Sequence, residues 1–304
     1  MDRDFDTNAE LTAHAWGCTC RLHARRLFAG ALVGAGATLA WPALAREGVE
    51  VGKDSQFSRL VPAQQVEEAA SQQYNQMKQQ AAEKRALAPA THPQVVRLRA
   101  IAQRIIPNSY EWNPRARDWK WEINLLGDKQ INAFCMPGGK IAFYYGILQQ
   151  LQLNDDEVAM VMGHEIAHAL REHARERMGK TMATRGGIEI AAAIFGLGNM
   201  GRMAADMGGQ LLTLKFGRDD ESEADLIGME LAARAGYDPK AGVTLWTKMG
   251  EASKGAPPQF LSTHPSGPTR ISDIQANLPK VEGLYAKAAK PTQRFEPPAK
   301  AGAG

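Results

Sequence analysis

One stretch constrains this chain more than any other: VMGHEIAHALREHA, Val161 to Ala174. Four residues of helix rotate about 400°, so His164 and His168 stand about 40° apart, one turn above the other. Two imidazoles in that relation can converge on one ion. Glu165 lies next to that face, placed to reach a water on the ion. Zinc lowers the pKa of such a water toward neutrality, and a carboxylate beside it can take the proton. The competing reading is a helix that carries histidines by chance, because five positions make a short match.

A catalytic zinc needs a third protein ligand and an open fourth position. A histidine six residues after His168 would supply the third, but position 174 is Ala and position 171 is Arg where a Gly would be required. The metzincin pattern is therefore excluded. His173 is one place short and on another face; among Arg171, Glu172, Arg175 and Glu176 it reads as a solvated helix histidine. The alternative is a carboxylate from a second helix, which RDDESEADLIGMELAARAGY, starting at Arg218, can supply. Glu221 and Asp225 are one turn apart and share a face. Glu221 can bind the ion while Asp225 accepts a hydrogen bond from the distal N–H of a ligand histidine. Glu223 points elsewhere, about 200° around from Glu221. Taken alone, the acidic cluster reads as a helix N-terminus that favours negative charge.

The rest of the chain frames that site. At 304 residues, with 44% hydrophobic and 23% charged residues, it has the composition of a globular protein. Its 36 Lys+Arg nearly balance 33 Asp+Glu, and no dense basic tract lies beside aromatic residues, which argues against nucleic acid as a partner. Residues 1–45 read as a targeting segment. Arg25 and Arg26 precede the apolar run LFAGALVGAGATLAW, and Ala43-Leu44-Ala45 gives a small-x-small cleavage signature. The run is too short to span a bilayer comfortably. The arginine pair before Leu27 and Phe28 resembles a twin-arginine signal, with a general secretory signal as the alternative. After cleavage only Cys135 remains, so no intrachain disulfide is expected.

Residues 46–93 are expected to form a linker (46–61) and a long polar helix with a thin apolar stripe. Residues 94–106 read as an amphipathic helix. Short alternating runs in WKWEINLL, INAFCM and KIAFYY predict a small sheet, with Pro137-Gly138-Gly139 turning a tight hairpin. A helix capped by Asn154 or Asp155 is expected to run to about Met178. The Gly- and Met-rich stretch 179–214 reads as two loosely packed helices that cover something. Helices are expected over 218–236, 239–253 and 268–277, and the Pro/Ala/Lys-rich tail, 281–304, as disordered.

GHEIAHAL, ESEAD, NAFCMPGGKIAFYYGIL and STHPSGPTRI occur together and in order. Over roughly residues 95–280 the chain thereby resembles peptidase family M48, which includes the CAAX prenyl proteases and the heat-shock protease HtpX. The resemblance implies an α+β, mainly helical, gluzincin-like zinc metalloprotease domain (94–280) with an active-site helix and a small three- to four-stranded sheet whose edge holds the peptide. It implies one Zn²⁺ per chain, with His164, His168 and Glu221 as ligands, Glu165 as base and Asp225 behind a ligand histidine. It makes Asn132, Ala133 and Phe134 candidates for the substrate edge, with Gly138 and Gly139 at the turn. His264 is a candidate for an oxyanion donor or for a gate in the fourth zinc position. Arg218 is a candidate partner for a carboxylate near the site or a donor to the tetrahedral intermediate, with a surface ion pair as the alternative.

Two functions follow as expectations. The first is an exported, periplasmic zinc endopeptidase acting on polypeptides, with misfolded envelope proteins suggested by the resemblance. The mature chain would have no transmembrane span, and peripheral membrane contact is compatible with it. The second is an envelope chaperone or assembly factor that binds unfolded chains with little or gated cleavage.

Overall fold

The computed structural model describes residues 46–184, 211, 214–254, 258–265 and 269–300. The expected signal segment and most of the stretch 179–214 lie outside the described residues. From Glu47 onward the chain forms one unit.

Helix α1 (Ala63–Glu83) is the expected polar helix, with Val66, Ala69, Ala70 and Tyr74 as its buried stripe. Helix α2 (Pro93–Ile105) starts with proline at its first position, where no backbone N–H is required. Strands β1 (Glu122–Leu126), β2 (Ala133–Met136) and β3 (Lys140–Tyr144) form a three-stranded sheet in the order β1-β3-β2. β2 and β3 make an antiparallel hairpin, while β1 runs parallel to β3. β2 is therefore an edge strand. The turn places Gly138 and Gly139 at φ 80° and 76°, a region that costs glycine little. A Cβ on Gly139 would lie 2.7 Å from Trp121.

The period of two along the strands divides the sheet between two layers. Ala133, Cys135, Ile141 and Phe143 enter the main core, whereas Met136 and Ala142 meet Ala70 and Tyr74 of α1 on the other side. After the short helix α3 (Tyr145–Gln150) comes α4 (Asp155–Leu170), buried along nearly its whole length. Its start is a capping box: Asn154 Oδ1 accepts from the Glu157 N–H, and Glu157 accepts from the Asn154 N–H, each at 2.9 Å. The helix stops at Leu170, short of the expected Met178. Arg171 caps it, Glu172 takes φ 56°, and α5 (His173–Thr184) starts in a new direction.

Helix α6 (Arg218–Arg234) crosses α4 at a point of backbone contact. A Cβ on Gly163 would sit 2.6 Å from the Gly228 carbonyl oxygen, and one on Gly228 2.6 Å from the His164 nitrogen. The paired glycines let the two site-bearing helices approach closely enough for their side chains to meet. Gly228→Ala is expected to cost about 1–3 kcal/mol by overpacking, because the obstacle is backbone and cannot swing away. Urea unfolding of the metal-free protein checks this; a midpoint equal to the parent's would show that the helices yield without cost.

Helix α7 (Ala241–Ala252) and the short α8 (Gln259–Thr263) precede α9 (Arg270–Lys287), which continues through Pro279 well past the expected end at Asn277. Two expectations about chain ends are corrected. The stretch expected as a linker is anchored: Val49 is buried in the main core and its N–H donates to Glu230 at 2.8 Å. The tail beyond α9 is held, as far as Ala299, against the starts of α2 and α4 and the end of α3. The Phe295 N–H donates to Asp155, and Gln94 and Gln152 donate to the carbonyls of Glu296 and Pro298. Main-chain groups make these bonds, so composition gives no sign of them. Among the described residues no helix is long and apolar enough to cross a membrane.

Candidate metal centre

Helix α4 presents His164 and His168, α6 presents Glu221 and Asp225, and the residue ending α8 is His264. All five are buried. His164, His168, Glu221 and His264 each offer one donor atom, and these atoms lie within 4.8 Å of one another. A tetrahedral ion with donors about 2.0–2.1 Å away separates those donors by about 3.3–3.4 Å. Here His164 Nε2 lies 3.1 Å from His168 Nε2 and 3.3 Å from His264 Nδ1. Glu221 Oε1 lies 3.4 Å from His168 Nε2 and 3.1 Å from His264 Nδ1. Three imidazole nitrogens and one carboxylate oxygen at these spacings fit a tetrahedral metal ion.

The surroundings orient the donors. His164 Nδ1 lies 3.0 Å from Asp225 Oδ1, which puts the ring proton on Nδ1 and leaves Nε2 free to bind. Burial opposes charge on Asp225, but Arg270 and His164 outweigh it and hold its carboxyl below the usual range. Burial likewise opposes charge on Glu221, and its bonds to His168 and His264 reverse the effect. Burial pushes His168 well below its ordinary value, so it stays neutral as a ligand must. His264 behaves differently: burial opposes its charge, yet Glu165 and Glu221 together raise its pKa. Phe216 stacks on His168 at 4.0 Å between ring centroids and Phe260 stacks on His264 at 4.4 Å.

Glu165 lies beside the cluster, not in it. Its Oε1 is buried without a hydrogen-bond partner, 3.6 Å from His264 Nε2, and burial raises its pKa. A narrow cleft of about 50 Å³ opens here, lined by Asn132, Ala133 and Phe134 of the edge-strand region and by Glu165, His168 and His264. The Phe134 ring, however, packs edge-on against Tyr74 at 6.4 Å and Tyr144 at 6.3 Å. Gly138 and Gly139 do not line this cleft; they face Glu67 and Trp121.

Arg218 is exposed at the first position of α6, in line with the surface alternative for it. Two residues depart from expectation. Arg270, which carried no expected role, is the buried cation instead. It donates to Glu221 at 2.7 Å and to both Asp225 oxygens at 2.6 and 2.8 Å, with its guanidinium 3.4 Å above the Trp246 ring. Its position at the end of STHPSGPTRI was the available signal. His173 is buried, with Nδ1 at 2.9 Å from His168 Nδ1, and is not a solvated histidine.

The sequence profile of peptidase family M48 matches residues 94–278, more than half of the chain and the whole of this site. The chain belongs to peptidase family M48. Its α+β architecture, mainly helical with a three-stranded sheet, is that of a metallopeptidase. Among relatives of this M48 member is the mitochondrial metalloendopeptidase OMA1 of Schizosaccharomyces pombe, 36% identical over 197 residues, 64% of this chain and 56% of that one. The OMA1 of Arabidopsis thaliana is 38% identical over 159 residues, 52% of this chain and 32% of that one. The β-barrel assembly-enhancing protease of Yersinia pestis is 30% identical over 161 residues, 50% of this chain and 33% of that one. The matched part thus spans 32% to 56% of the length of these relatives.

Proposed function

We propose that this M48 member is an exported zinc endopeptidase of the cell envelope that cleaves unfolded polypeptides. The observation that carries the reading is the buried Glu165 carboxylate, its Oε1 without a hydrogen-bond partner, beside a four-donor cluster at the foot of a cleft with an edge strand in its wall. Zinc held by His164, His168 and Glu221 would act as a Lewis acid toward the scissile carbonyl and make the attacking water easier to deprotonate. Glu165 takes that water's proton and passes it to the leaving amine. Asp225 keeps the His164 ring in its binding tautomer, and Arg270 fixes both carboxylates. Among the described residues strand β2 pairs with β3 on one side only, so an extended segment can add to its other edge by main-chain hydrogen bonds near Asn132, Ala133 and Phe134. The export reading rests on residues 25–45, a relative named for enhancing β-barrel assembly supports an envelope role, and misfolded envelope proteins are the substrates proposed with it.

The presence of His264 in the donor cluster favours a restrained site, so an envelope chaperone with gated cleavage is the second reading. In this view His264 holds the fourth position until substrate displaces it. The test is metal content and casein cleavage, with chelator and after zinc is restored, on the parent and on His264→Ala. Chelation is expected to abolish cleavage, and one zinc per chain to restore it. His264→Ala is expected to raise cleavage several-fold, on the order of the tenfold that about 1.4 kcal/mol represents. Lower cleavage with metal retained would assign His264 to the oxyanion. Cleavage indifferent to chelator would remove the zinc mechanism.

A further inference from the structure

A ligand histidine needs a partner for its distal N–H, because that partner sets the tautomer and the ring orientation. Asp225 serves His164 in this way. The equivalent partner of His168 is another histidine. His168 Nδ1 and His173 Nδ1 face each other at 2.9 Å, and both rings are buried. Only one of the two nitrogens can carry the proton between them. If His168 binds the metal through Nε2, its own proton must sit on Nδ1, and His173 Nδ1 must accept. The proton of His173 then lies on Nε2, which faces Glu223 Oε2 at 3.4 Å. The same oxygen accepts from Arg171 Nε at 2.9 Å, and Arg171 is tied by its other nitrogens to Asp54 and the Gly52 carbonyl.

The backbone is shaped for this contact. On an unbroken helix, five residues rotate about 500°, so His173 would point about 140° away from His168. The chain instead ends α4 at Leu170, passes Arg171 and sets Glu172 at φ 56° before α5 begins at His173. The left-handed conformation is unfavourable for a residue with a side chain. That cost falls at the one point where the chain must reverse His173 onto the ring of His168.

We propose that His173 is the positioning residue of the metal ligand His168, and that Glu223, braced by Arg171, fixes the tautomer of His173. The inference rests on the metallopeptidase reading above and adds to it a route from the second ligand histidine out to a half-buried carboxylate.

The test uses the full chain and Zn²⁺ alone, with affinity read by competition against a chromophoric chelator. His173→Leu fills the space but offers no acceptor, and is expected to weaken zinc binding roughly 10- to 100-fold. His173→Asn places an amide oxygen where Nδ1 lies, and is expected to bind within about threefold of the parent. Thermal midpoints of the metal-free forms separate loss of packing from loss of the acceptor. Unchanged affinity in His173→Leu would overturn the assignment, as would an Asn variant that falls as far as the Leu variant. Should the Leu variant not fold, Glu223→Ala gives the same readout from the exposed side. A several-fold loss of affinity is expected there, and no loss would overturn the assignment. A parent that binds no zinc would refute the metallopeptidase reading itself. A parent that binds zinc, with variants that bind equally well, would refute only the role of His173.

Discussion

Glu165→Gln is expected to lower cleavage of an unfolded protein by about a hundred- to ten-thousand-fold while zinc content stays at one per chain. The change removes the basic oxygen and keeps the shape. Glu165 is not in the donor group, so zinc binding has no reason to fall. Burial lifts its carboxyl above the usual range, which makes it a stronger base than an exposed glutamate. Its Oε1 has no hydrogen-bond partner, so an amide there breaks no hydrogen bond and gives up only the 3.6 Å ionic contact with His264 Nε2. Undiminished cleavage by a zinc-loaded Glu165→Gln protein would sink the general-base mechanism. A variant that cuts nothing yet restores a deletion strain in full would transfer the physiological role to binding.

Arg270→Leu is expected to unfold the metal-free protein more readily than any single change at the ligands. Arg270 is buried, and it is the cation that answers both Glu221 and Asp225. Breaking a buried pair by removing one partner costs about 3–5 kcal/mol, because the abandoned charges stay in the interior. In a domain of this size that corresponds to a fall on the order of 10 °C in the unfolding midpoint. Zinc answers Glu221 but not Asp225, so added zinc is expected to recover part of the loss. Calorimetry with and without zinc measures both quantities. An unchanged metal-free midpoint would show that water compensates the two carboxylates.

What could be read from the sequence was what helix geometry encodes. His164 and His168 four apart, and Glu221 and Asp225 four apart, each lie on one face of a helix whatever the rest of the chain does. Glu221 and Asp225 then meet the histidines because Gly163 and Gly228 let the helices touch, a fact invisible in either segment alone. Arg270 was missed for the same reason. It lies far along the chain from both carboxylates it serves, and no spacing rule joins them. His173 was misread because its charged neighbours suggest a continuous polar helix, whereas one residue, Glu172, reverses the chain. The strands were legible from alternation, but the parallel pairing of β1 with β3 depends on a long connection that periodicity does not specify.

The anchored chain ends bear on where this protein's cooperative unit stops. Asp155, the first residue of α4, is shared between Arg97 at 2.7 Å and the Phe295 N–H at 2.8 Å. On α6, Glu230 receives the N–H of Val49. Both outer partners lie beyond residues 94–278, the part that matches the family. The module that descent defines is therefore smaller than the one that folds. Fraying at either end removes a hydrogen bond from α4 or α6, which carry three of the four donors. Local opening of the termini and local opening at the centre are then coupled events, and amide exchange in α4 and α6 senses residues far from the chemistry.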